Sequence, residues 1–327
     1  MISSASNRFV NTHVLVILLL TMISCILISE RTIFPDVPQR MKIEASILGG
    51  TMEPPYQYRV MKPLIGNLLQ SALSPFIEDE VSRHAFSYQV MIFFVFLGVY
   101  FLFYKFLRNF FTENTCILGL FLLQVVIPLG ITSIWEEGDY ITLLLYLIGL
   151  NLMFSGKEKF LPLVIAVGVF NRDQIIYILF LYAAFLFFNG RIKDKKAFVN
   201  AAICVIIWGA GYLLLRNIFG FKESVYTIKH NVTTNINTWK SIAELWIAMI
   251  SVFAFLSIIS YKRSNKFFRF ALISLIPYVM IYFLLAIVSQ LAKFLPAFLV
   301  MIPMSLQVLT NEYTGDPLAE TEKGQAQ

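Results

Sequence analysis

Charge is scarce in this chain. Only 14 % of its 327 residues are Asp, Glu, Lys or Arg, while 58 % are apolar. A soluble domain carries roughly a quarter charged residues, so this balance excludes an ordinary water-soluble fold and points to a polytopic membrane protein. Glycine is also sparse, at 16 residues against 31 phenylalanines. That shortage argues against a channel or transporter built on many small-residue helix seams, and large aromatics take the interhelical and lipid-facing space instead. Cys25, Cys116 and Cys204 form no Cys-x-x-Cys pair and fall in or beside apolar runs, where cysteine behaves as a small hydrophobe. His13, His84 and His230 have no ligand-like spacing. No Walker sequence, dinucleotide fingerprint or nucleophile elbow occurs, which argues against ATP-driven transport by this chain alone. The formal charge of +6 is scattered between apolar runs and makes no field for nucleic acid.

What is present in abundance is apolar sequence of near-spanning length. The first run, Val14 to Ile28, leads straight into Ser-Glu-Arg-Thr without a small-residue cleavage pattern, so a retained anchor helix is expected. Further spans are expected near 87–104, 116–134, 141–155, 160–170, 175–190, 199–215, 242–260, 270–288 and 293–309. The fold class is all-α: a polytopic integral membrane bundle of about ten spans (9–11). Several runs fall short of the roughly 20 residues that cross a bilayer. The shortest, 160–170, meets Asn171-Arg172-Asp173-Gln174 before the next apolar run. It is either one of two short spans joined by a tight turn or half of a re-entrant pair, and each needs surrounding protein or a watery cavity.

Alternate loops carry Lys105 and Arg108; Lys157 and Lys159; Arg191, Lys193, Lys195 and Lys196; and Lys262, Arg263, Lys266 and Arg269. The opposite loops carry only Arg172, Arg216, Lys222, Lys229, Lys240 and Lys293, with the acidic Glu136-Glu137-Gly138-Asp139. The positive-inside rule assigns the first set, and both termini, to the cytoplasm of a plasma (inner) membrane. One transmembrane domain, 1–310, then includes an outer loop at 30–86, followed by a polar cytoplasmic tail, 311–327. Within the loop, Met61, Leu64, Ile65, Leu68 and Leu69 recur at helical spacing, which predicts an amphipathic helix on the membrane surface or capping the bundle.

Ionisable groups in such a chain are functional candidates because charge is expensive there. Glu53 precedes Pro54-Pro55, a pair expected to hold the chain extended, and Tyr56, Tyr58 and Arg59 follow. Asp139 opens one span; Asn171, Arg172 and Asp173 occupy a turn between two others. Arg59 and Arg172 have the planar donor fork that binds phosphate oxygens in pairs. Glu53 or Asp139 is a candidate to take a proton from an attacking hydroxyl. Each has a structural alternative. Glu53 can be a solvated loop acid, Arg59 a snorkelling anchor, Asp139 a helix cap, Arg172-Asp173 an internal ion pair and Glu136-Glu137 a solvated charge run. Trp135, Trp208, Trp239 and Trp246 fit interface anchors, and Asn231-Val232-Thr233 matches a glycosylation acceptor.

Three local patterns resemble polytopic glycosyltransferases of the GT-C structural class and related bacterial multispan proteins. Pro55-Tyr56-Gln57-Tyr58-Arg59-Val60-Met61-Lys62-Pro63 resembles a Pro-Phe-x-Tyr-Arg-x-Leu-x-Pro segment. Asp139 before a leucine-rich span, with Gly149 and Gly156-Lys157 beyond, resembles the next block, and Asn171-Arg172-Asp173-Gln174 resembles an Asn-Arg-Glu-Thr element. The resemblance covers roughly residues 10–310. It implies a lipid-phosphate-linked sugar donor, an outer-loop catalytic acid at Glu53 or Asp139, and donor phosphate held by Arg59 and Arg172. Tyr56, Tyr58, Asn171 and Asp173 would be supporting residues. The class's acidic signature directly after the first span has no clear counterpart, since Glu30 and Asp36 sit in a different local setting. Some members use a divalent cation; the scattered carboxylates here establish no metal site.

The expected activity is outer-face transfer from a polyprenyl-phosphate sugar to a cell-envelope glycan or lipid acceptor. Polysaccharide polymerisation or ligation, lipid-linked glycan flipping or secondary transport, and a noncatalytic assembly role are the alternatives. Transport needs a polar route through both faces, whereas transfer needs a cavity open at one face and toward lipid.

Overall fold

The computed structural model describes residues 3–131, 133–224 and 226–312, with side chains from residue 12 onward. The expected tail lies outside the described residues from 313 on. Among the described residues the chain is wholly helical: α1 (Ser3–Thr32), α2 (Val37–Leu48), α3 (Met61–Leu73), α4 (Glu80–Leu107), α5 (Glu113–Gly130), α6 (Gly138–Phe154), α7 (Leu161–Gly168), α8 (Ile178–Phe188), α9 (Lys195–Phe219), α10 (Ile228–Asn237), α11 (Trp239–Met249), α12 (Ser251–Ser260), α13 (Lys266–Leu285) and α14 (Leu295–Thr310). No strand occurs among them. In hydrocarbon each backbone N–H and C=O must find its partner within the segment, and helices meet that demand. The protein is a polytopic, mostly apolar, all-α membrane protein.

Seven helical segments are long and apolar enough to span a bilayer, or eight when α11 and α12, bent by 57° at Ile250, count as one. The ten apolar segments expected from the sequence are these eight plus the two short pieces at 161–168 and 173–188. An eight-residue helix rises only about 12 Å. The short pair nonetheless runs the height of α6. Arg191, after α8, donates to Glu158, just before α7, at the C-terminal end of α6, and the Asn171 amide donates to Gly138 O at the other end. The pair is therefore two antiparallel pieces joined by a tight turn alongside α6.

The core sits on α14, whose spanning segment is 94 % buried and which packs against α5, α6, α12 and α13. Phe106, Phe110, Phe154, Phe267 and Phe268 interlock edge-to-face near one end of the bundle. Offset and T-shaped pairs are the arrangement the ring quadrupole favours. The loops at this end carry the twelve basic residues of the richer set, tied together in part by Arg191, which bridges Glu158 at 2.7 Å and Asp194 at 2.8 Å. Loops 33–60, 131–138, 169–177 and 286–294 gather at the opposite end.

α3 is a helix over the residues expected, but its faces are used differently from a soluble amphipathic helix. It buries Lys62, Pro63 and Gly66 and exposes Leu64 and Leu68. Gly66 permits this because a Cβ there would collide with the Tyr88 hydroxyl of α4. α9 has the plainest lipid-facing pattern: Phe198, Ile206 and Ile218 are exposed, and only Ala197, Cys204 and Leu215 are buried.

Candidate functional site

Two buried polar clusters occupy the loop-rich end opposite the phenylalanines. The first lines a cavity of about 390 Å³ walled by Tyr56 and Arg59 from the loop between α2 and α3, Arg172, Asp173 and Gln174 from the tight turn, Trp208 and Tyr212 from α9, Ile281, Tyr282 and Leu285 from α13, and Lys293 from a 3₁₀ turn over Leu291–Phe294. The volume is in the range of small-molecule sites, which are mostly apolar with a few convergent polar groups. Asn171 and Arg172 follow α7 directly and are placed by the close α6–α7 packing. Asn171 also donates to Thr142 Oγ1 at 2.9 Å, and Arg172 reaches Asp139 at 3.1 Å and Trp135 O at 2.8 Å. Gln174 donates to the other Asp139 oxygen at 2.9 Å and accepts from the Tyr282 hydroxyl. Arg172 Nε is buried without a protein partner, and a Cβ on Gly138 would lie 3.0 Å from it.

Arg59 is held more loosely. It lies over the Tyr56 ring, 4.7 Å from the centroid, and its hydrogen bond to Trp135 O is long at 3.5 Å. Burial and then the neighbouring Arg172 draw its guanidinium down to about 10. Burial and the hydrogen bond with Tyr226 push the Tyr56 hydroxyl up to about 12. Tyr58 is buried behind this wall, donating to Gly220 O at 2.9 Å with Arg216 over its ring.

Five residues depart from their structural alternatives. Asp139 is not a cap: it lies in the first turn of α6, 1 % exposed, paired with Arg172. Arg172 pairs with Asp139 across the turn, and Asp173 forms no ion pair among the described residues but lines the cavity at an exposed position. Glu136 and Glu137 are buried instead of forming a solvated run; Glu136 folds back to accept from Ser133 N–H in a capping box. Asn231 is fully buried, donating to Leu284 O, so the glycosylation triplet is a packing element between α10 and α13. Glu53 is exposed and outside the cavity lining, two residues before Pro55 on the wall. The prolines turn the chain into a 3₁₀ turn, Tyr56–Tyr58, instead of extending it.

The second cluster was not legible from motifs. Arg40 of α2 grips Glu137 with both terminal nitrogens at 2.6 Å, and Lys62 of α3 adds a bond at 2.9 Å. Glu44 sits one turn beyond Arg40, 3.3 Å from its Nε, 3.7 Å from Lys62 and 3.3 Å from His84 of α4. The Arg40 guanidinium stacks on Tyr88, 3.9 Å from its centroid. The i, i+4 spacing of Arg40 and Glu44 was the available signal. A void of about 30 Å³ lies between the clusters, lined by Lys62, Arg59, Arg172 and Trp135 and large enough for water. Lys293, missed as a site residue, was visible as one charge between two apolar runs.

Among the described residues no group of three His, Cys, Asp or Glu gathers as a metal site. No protein-family model, curated protein or solved structure matches this chain.

Proposed function

We propose that this protein is an outer-face glycosyltransferase of GT-C type, moving a sugar from a polyprenyl-phosphate carrier to a cell-envelope glycan or lipid acceptor. In this reading the cavity end faces outward from the plasma (inner) membrane and both termini are cytoplasmic. One observation carries it: Arg59, Arg172 and Lys293 converge on an aromatic cavity at one end of the bundle, between two helices that present apolar surface outward. Cations in a low-dielectric wall stabilise an anionic headgroup and the charge that develops on it, and flanking apolar helices suit a lipid chain. Exposed Met280, Leu284 and Leu285 on α13 and Leu213 on α9 supply that surface.

The chemistry assigned is displacement at the anomeric carbon. An acceptor hydroxyl attacks, its proton passes to a carboxylate, the carbon–oxygen bond to phosphate breaks, and the phosphate keeps the electron pair. Asp173 is the carboxylate on the cavity lining and is given the proton-acceptor role; Glu53, close by in sequence, is the second candidate. Asp139 is already paired and holds the Arg172 fork in place.

The test uses purified full-length protein in nanodiscs with short-chain polyprenyl-phosphate and polyprenyl-diphosphate hexoses and pentoses as donors and envelope lipid extract as acceptor. Transfer or donor cleavage that falls at least a hundredfold in Asp173→Asn or Arg172→Gln, with folding intact, supports the proposal. Donor crossing the bilayer intact, with no bond cleaved, overturns it in favour of a flippase.

A further inference from the structure

Lys293 is the third cation on the cavity wall, and its surroundings say what kind of anion belongs there. It is 8 % exposed. The 3₁₀ turn that carries it is buried throughout and pinned by the Tyr278 hydroxyl, which donates to Lys293 O at 2.6 Å. Among the described residues no carboxylate oxygen comes within the 4.0 Å of an ion pair with its ammonium. A buried ammonium without a counter-ion is costly, so such a site is built to receive one.

The nearby carboxylates are committed elsewhere or hydrated. Asp139 neutralises Arg172 at 3.1 Å. Glu136 accepts from the Ser133 backbone. Asp173 is exposed, and water screens its charge. Arg59 has only a long bond to a carbonyl and a tyrosine face. Arg59 and Lys293 are therefore the two cations of the wall that hold no ion pair among the described residues.

We propose that Lys293 is a ligand-binding residue and that, with Arg59, it makes the cavity select a headgroup with two linked phosphates over one with a single phosphate. A diphosphate diester carries two negative charges and a monophosphate diester one, so only the former matches both free cations. The inference rests on the reading that the cavity holds a lipid-linked anion, and it narrows the carrier from phosphate to diphosphate.

The experiment compares a farnesyl phosphate hexose with the matching farnesyl diphosphate hexose, a monophosphate and a diphosphate diester, as ligands of the full chain in nanodiscs, read by tryptophan fluorescence, for which Trp208 on the cavity wall is the reporter. Wild-type protein should bind the diphosphate at least tenfold more tightly. Lys293→Met should lose at least tenfold for the diphosphate and less than threefold for the monophosphate, and Lys293→Arg should keep the preference. Equal wild-type affinities, or a Lys293→Met loss equal for both ligands, would overturn the diphosphate assignment while leaving the anion cavity standing. Failure of wild-type protein to bind either ligand would overturn both. The wild-type ratio needs no variant to fold.

Discussion

Glu137 is fully buried and receives three short charged hydrogen bonds, two from Arg40 at 2.6 Å and one from Lys62 at 2.9 Å. With Glu44 the group has two cations and two carboxylates, so it is neutral without any bound ion. Glu137→Leu would strand one positive charge in the interior, and breaking one partner of a buried pair costs about 3–5 kcal/mol. Arg40→Met strands a negative charge and should cost about the same. Independent effects would sum to roughly 6–10 kcal/mol, beyond what many proteins can lose and stay folded. The double variant, however, leaves Lys62 and Glu44 as a neutral pair 3.7 Å apart. It should be destabilised by less than about 3 kcal/mol, because apolar replacement of a whole buried pair is often nearly neutral. Reversible unfolding in mixed micelles, followed by helical circular dichroism, measures the cycle. Additive losses would refute the account, since they would show that the two side chains act through packing and not through each other's charge.

Four further outcomes are expected. Gly138→Ala places a methyl beside Arg172 Nε, where its Cβ would lie 3.0 Å away, and should lower turnover about tenfold while moving stability by about 1 kcal/mol or less; unchanged turnover would separate Arg172 placement from activity. Glu53→Gln should leave turnover within about twofold, whereas Asp173→Asn should lower it by about 10² or more; the reverse ranking in a steady-state transfer assay would return the proton-acceptor role to Glu53. Cysteines introduced at Lys193 and Lys222 should label with a membrane-impermeant maleimide from opposite sides, Lys222 from outside intact cells. Gly66→Leu should destabilise by at least about 2 kcal/mol in the same micelle assay, because it forces α3 off Tyr88.

Helix existence was readable because hydrocarbon imposes one rule on every segment: α4, α9 and α13 fall where continuous apolar runs predicted them. The break at Ile250 was not, since the apolar run continues through Met249-Ile250; at the break the Ser251 hydroxyl donates to Ile247 O, four residues back, a contact that bends helices. The turn at Asn171–Gln174 was legible as a polar interruption, and it does bring Arg172 beside Asp139. Arg59 and Arg172 share a cavity wall, which the sequence could only offer as a condition. The acidic run was misread because nothing adjacent to Glu136-Glu137 marks it as buried, and the partners of Glu137 are Arg40 and Lys62, 97 and 75 residues away. Charge pairing over such separations leaves no local pattern. Lys293 was hidden for a related reason: its place on the cavity wall follows from how the bundle packs, which no spacing rule records.

α9 supplies Trp208 and Tyr212 to the cavity yet packs mainly against the eight-residue α7, with most of its length facing outward. The chamber thus has one thin partition, while α14, the most deeply buried span, adds no residue to its lining. Displacing the partition would disturb few core contacts, because the phenylalanine lock lies at the far end. A guest arriving sideways from the bilayer would meet the part of the protein that yields most cheaply, and the helices that hold the bundle together would stay where they are.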